Sequence, residues 1–61
     1  MWTQFTIDGK AALINMAMVS RVVELPEGQR GCQLFTSATD FITVDQVLRE
    51  VMTRLGIDPR N

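Results

Sequence analysis

The nucleophiles of this chain are Cys32, Ser20 and Ser37, and with no histidine in the sequence none of them has an imidazole to activate it. Serine and cysteine become useful nucleophiles only beside a base or in an electropositive setting that lowers the pKa. Seven carboxylates are present, yet no two of them fall with a lysine or serine in a spacing that implies general acid–base work. One cysteine without histidine also falls short of the ligand set of a zinc or transition-metal centre. These residues point away from an enzyme and call for no cofactor. Cys32 itself reads as a small buried hydrophobe within a strand.

Two weaker chemical signals stand beside these. Arg30 lies between Gly28 and Gly31, where exposed backbone amides and a guanidinium would meet an anion. Trp2 and Phe5 offer a stacking surface for bases, but no cationic neighbours accompany them, so a core or interface role fits better. Lys10 is the only lysine, the arginines are scattered, and the formal net charge is -1. No basic stripe for phosphates results, which disfavours nucleic acid as a partner.

More weight falls on the run from Ala11 to Val19, which is apolar except for Asn15. It is apolar on both faces of a strand, while a small sheet under one helix has only one covered face. Leu13, Ile14, Met16, Met18 and Val19 are therefore the expected interface residues, met by a second copy of the chain or by another protein. Methionines suit such an adaptable contact surface.

The elements that position these residues follow from local patterning. Trp2 to Ile7 alternates polar with apolar, as a half-buried strand does. Asp8-Gly9 then favours a tight hairpin that returns through Lys10 to Ile14. Asn15 predicts a bend, through its amide or a left-handed backbone. Met16 to Leu25 is either a third strand or a short turn followed by a strand from Val19; the second is preferred, because Ser20 and Arg21 precede the β-branched Val22-Val23. Pro26-Glu27-Gly28 predicts a turn with proline at its second position and glycine at its exit. Cys32 to Thr36 is the next strand, with Cys32 and Leu34 on one face and Phe35 on the other. Ser37 to Asp40 connects it to a last strand, Phe41 to Val44.

Val44, Val47, Leu48, Val51, Met52 and Leu55 have helical three-and-four spacing. Thr43 with Gln46 matches a capping box, and Asp45 is the other candidate cap. Asp45 with Arg49 and Glu50 with Arg54 are spaced as stabilising pairs on the outer face. Gly56 ends the helix and Pro59 prevents its resumption. The expected fold is α+β: a small antiparallel β-meander of about four strands followed by one C-terminal amphipathic helix. Residues 1–57 form the domain and 58–61 a tail.

The order of these features resembles the small flagellar and swarming-motility proteins of the FlbD/SwrD type. The correspondence runs from Asp8-Gly9-Lys10 through Leu13-Ile14-Asn15 and from Met18 to Pro26. It continues through Gln33-Leu34-Phe35 and then from Val44 to Leu55, so it covers nearly the whole chain. The resemblance implies this fold and a role without catalysis.

Size adds a reason to associate. A domain of 61 residues hides only about 60% of the surface its unfolded chain exposes, and such domains usually need a disulfide, a metal or a partner. The single cysteine excludes an intrachain disulfide and suits a reducing compartment. No apolar run reaches the ~20 residues of a membrane span, and the N-terminus lacks the pattern of a secretory signal. The expectation is a soluble cytoplasmic protein of bacterial or phage type. Its leading function is that of a non-enzymatic regulator or adaptor that self-associates and binds another protein. The alternatives are an oligomer binding an anionic metabolite or nucleotide through Arg30 or Arg21, and an inhibitor of a host protein.

Overall fold

A computed structural model describes residues 1–57; the expected tail at 58–61 and the stop at Pro59 lie outside the described residues. The chain forms β1 (Trp2–Ile7), β2 (Lys10–Asn15), a single 3-10 turn (Met16–Met18), β3 (Arg21–Glu24), β4 (Cys32–Phe35), β5 (Phe41–Val44) and α1 (Leu48–Leu55). The fold is thus antiparallel strands followed by one helix, as the patterning predicts. Its five strands, each where the patterning places one, are arranged in two sheets, β1-β2 and β3-β4-β5.

The hairpin forms where Asp8-Gly9 places it, with Ile7 opposite Lys10. Both turn residues have positive φ, 51° at Asp8 and 80° at Gly9, the twist that lets a two-residue loop join right-twisted strands. Asn15 makes the predicted bend without a left-handed backbone. Its φ is -80°, and its side chain instead accepts the Ala17 N–H at 3.1 Å to cap the 3-10 turn.

The turn after β3 corrects the expected register by one residue. Gln29 N–H donates to the Pro26 carbonyl at 3.0 Å, so proline holds the first turn position and Gly28, at φ 92°, the third, where a positive φ is required. Gly31 has a different reason to be glycine. A Cβ there would stand 2.4 Å from the Val44 carbonyl oxygen, so any side chain would force β4 and β5 apart at their shared end.

The core is Phe5, Ile14, Cys32, Leu34, Val44 and Val51. It draws from the hairpin, the inner face of the larger sheet and the helix, with Met16, Val19, Val22, Leu48 and Leu55 packed against it. The hairpin is what covers the sheet. Three of the residues expected at an interface are therefore used internally: Ile14 is buried, and Met16 and Val19 lean on the core.

Helix α1 starts later than the capping signals suggest. Val44 closes β5, Val47 is the N-cap, and the Glu50 carboxylate accepts the Val47 N–H at 3.2 Å. Thr43, Asp45 and Gln46 lie outside the helix, so neither the Thr43–Gln46 box nor the Asp45–Arg49 pair exists. Asp45 N–H donates to the Thr6 carbonyl at 2.7 Å, joining the end of β5 to β1. The Asp45 carboxylate accepts the turn amides of Asp8 and Gly9 at 3.3 and 2.9 Å. Gln46, buried, grips Thr6 twice: it accepts the Thr6 N–H and donates to Thr6 Oγ1, both at 2.9 Å. At the other end Ile57 N–H reaches the Met52 carbonyl and Gly56 N–H the Thr53 carbonyl, with Gly56 left-handed at φ 74°. This is the Schellman arrangement that terminates helices at glycine.

Candidate protein-binding surface

Once the core has taken its share of the Ala11–Val19 run, Leu13 and Met18 are left 66% and 64% exposed. Their exposure follows from alternation. With Ile14 facing inward on β2, Leu13 must point to the opposite side of the hairpin, and Met18 ends the 3-10 turn that leads away from it. Trp2, 67% exposed, stands diagonally across the hairpin from Leu13, since Gln4 pairs with Leu13 and Trp2 with Asn15. Ile42, at the start of β5, is 36% exposed.

These four side chains border one groove of about 310 Å³, with Asn15 and Thr36 on its rim and Ile14 also lining it. None of its lining residues carries a charge. The groove lies where the hairpin and the larger sheet meet. A shallower depression of about 500 Å³ also touches Trp2, but Gln4 and Arg54 make it as polar as it is apolar.

Leu13 and Met18 were predicted as surface contacts and lie together here, while Ile14, Met16 and Val19 do not supply free surface. Trp2 and Ile42 belong to the groove and were not foreseen as part of it. Trp2 carried a signal as a large aromatic near the edge of a strand; Ile42 carried none, because its neighbours come from the hairpin.

The other residues with chemical potential are placed elsewhere. Arg30 does not stand free over the loop amides: its guanidinium meets the Glu50 carboxylate at 3.3 Å, with both side chains well exposed. Such a pair contributes little stability, but it gives the only cation of that loop an acidic partner and weakens the anion-site expectation. Glu50 therefore pairs across the fold with Arg30, while Arg54 turns to the Gln4 carbonyl and lies over the Phe5 ring. Phe5 is fully buried, so it forms no stacking surface with Trp2.

Arg21 stacks on Phe35 with its guanidinium carbon 4.1 Å from the ring centre. Phe35 in turn meets Phe41 at a centroid distance of 5.2 Å. These three occupy one row across β3, β4 and β5, on the face away from the core. Ser20 Oγ donates to the Phe35 carbonyl at 3.3 Å, and Ser37 Oγ accepts the Thr39 and Asp40 amides; both hydroxyls are engaged in turn and strand-end structure. Cys32 is buried. Burial pushes its thiol above the ordinary range, and the Glu24 carboxylate, paired with it across β3 and β4, adds to the effect. A thiol held protonated is a poor nucleophile.

Comparison with protein-family models, with curated proteins and with solved structures finds no match for the chain. Among the described residues no helix is long and apolar enough to cross a membrane.

Proposed function

We propose that this protein is a non-enzymatic regulator or adaptor that acts by protein–protein binding and self-associates through the groove formed by Trp2, Leu13, Met18 and Ile42. The supporting observation is the concentration of large exposed apolar side chains around a groove whose lining side chains are uncharged, with the Met1 ammonium bonded to Asn15 at its rim. Single exposed hydrophobes are ordinary on a protein surface, but a contiguous apolar patch marks an interaction site. The resemblance to the small motility proteins supports the same non-catalytic reading.

Leu13→Glu and Met18→Glu test it. Both residues are exposed, so the variants should fold like the parent by circular dichroism. Each should lower the mass in solution, and each should reduce binding to any cellular partner the parent captures. Folded variants with unchanged mass and unchanged capture would overturn the proposal.

A further inference from the structure

We propose that Asp8 is a site of spontaneous isomerisation to isoaspartate, and that the Asp45 carboxylate is the latch that holds the reaction back. Neither residue lines the apolar groove, so the site stands apart from the protein-binding reading above. An aspartate followed by glycine reacts with its own backbone. The Gly9 amide nitrogen attacks Cγ of the protonated Asp8 side chain, an N–Cγ bond forms and the C–OH bond breaks. The hydroxyl and the amide proton leave as water, and a five-membered succinimide remains. Water then opens the ring at either carbonyl. One opening restores aspartate, and the other carries the chain through the side-chain carbon as isoaspartate.

The hairpin turn leaves both reacting groups accessible. Asp8 and Gly9 are exposed, and a Cβ built at Gly9 would meet nothing within 4 Å. Among the described residues no ion pair or hydrogen bond engages the Asp8 carboxylate, so it is free to turn toward the Gly9 nitrogen. What opposes ring closure is Asp45. Its Oδ2 accepts the Gly9 N–H at 2.9 Å and its Oδ1 the Asp8 N–H at 3.3 Å. The lone pair that the Gly9 nitrogen uncovers on losing its proton therefore points at Asp45 and away from Asp8 Cγ. A carboxylate at that distance also repels the negative charge the nitrogen must develop.

The latch is anchored by the docking of the hairpin. Asp45 N–H donates to the Thr6 carbonyl at 2.7 Å, and the neighbouring Gln46 holds Thr6 through two further bonds. Gly9 is released when the hairpin lifts from the larger sheet, an opening local to one supersecondary unit. Isoaspartate adds one backbone carbon to a two-residue loop whose length sets Ile7 opposite Lys10. So short a loop has no slack to absorb it, and the modified turn loses its match to the Asp45 carboxylate.

The test is to hold the protein at neutral pH for days, digest it, and measure isoaspartate at Asp8 by electron-transfer fragmentation, which separates the two forms of equal mass. The parent, Asp45→Ala and Gln46→Leu are compared, each folded and each unfolded in guanidinium. The folded parent should isomerise many-fold more slowly than the unfolded chain. Asp45→Ala, folded by circular dichroism, should react several-fold faster than the folded parent. Gln46→Leu keeps the carboxylate and should stay closer to the parent. A folded Asp45→Ala at the parent's rate, or a folded Gln46→Leu as fast as Asp45→Ala, would overturn the latch. If Asp45→Ala does not fold, Asp45→Asn, which removes the charge, takes its place with the same outcomes. A folded parent that reacts as fast as the unfolded chain would overturn the latch without any variant, and an unfolded chain that forms no isoaspartate at Asp8 would overturn the site.

Discussion

Gln46 shows how a single side chain decides where an element begins. Read locally it belongs to a helix cap; in the fold it is buried and ties the backbone and hydroxyl of Thr6 to the segment that precedes α1. Gln46→Leu keeps the volume and removes both hydrogen bonds, leaving the Thr6 N–H without its partner. Loss of about 1–3 kcal/mol is expected, seen as a lower urea midpoint at unchanged slope. Cys32 makes a second residue-level prediction. Its thiol is held above the ordinary range by burial and by Glu24, so the unfolded chain loses that proton at lower pH than the folded one. The stabilisation is whole below the ordinary thiol range of about 8.5 and is lost as pH rises through it toward the folded value. The chain has no tyrosine and a single lysine, so few other groups titrate there. The thermal midpoint should fall between about pH 8 and 10, and Cys32→Ala should fall less steeply across the same range. The burial of Cys32 was legible from its strand position, whereas the role of Gln46 was not, because its partner is far away in sequence.

Among the elements, the hairpin and the helix end were readable because each is governed by neighbours in sequence. Asp8-Gly9 needs only its own backbone preferences to reverse the chain, and Gly56 needs only the last turn of α1. Gly56→Ala places a side chain at φ 74° and should cost about 1 kcal/mol, measurable as a shift in the denaturation midpoint. The start of α1 was misread by a few residues for the opposite reason. Local capping preference at Thr43 and Asp45 is worth about 1 kcal/mol, and it competes with tertiary bonds from Asp45 and Gln46 to β1 and the hairpin turn. Those bonds dock the hairpin onto the larger sheet, and that docking divides the apolar run. Ile14 faces the core, and Leu13 faces out because the strand alternates.

For the whole molecule, the apolar excess of the Ala11–Val19 run was legible, but its division between core and surface was not. A pattern that is apolar on both faces does not say which face the chain covers itself. Here the hairpin closes over the sheet and draws Ile14, Met16 and Val19 to the core, while Leu13 and Met18 join Trp2 and Ile42 around the groove. The core contains only a handful of fully buried side chains, so association through the groove would raise stability by mass action. The thermal midpoint of the parent should therefore rise with protein concentration, and that of Leu13→Glu should not.

The most direct test of self-association is the absolute mass by light scattering, across a dilution series, of the parent and of Leu13→Glu. A dimer mass in the parent that falls to the monomer on dilution, beside a folded variant that is monomeric throughout, is the predicted result. A parent that is monomeric at every concentration, or a variant that keeps the parent's mass, would contradict it.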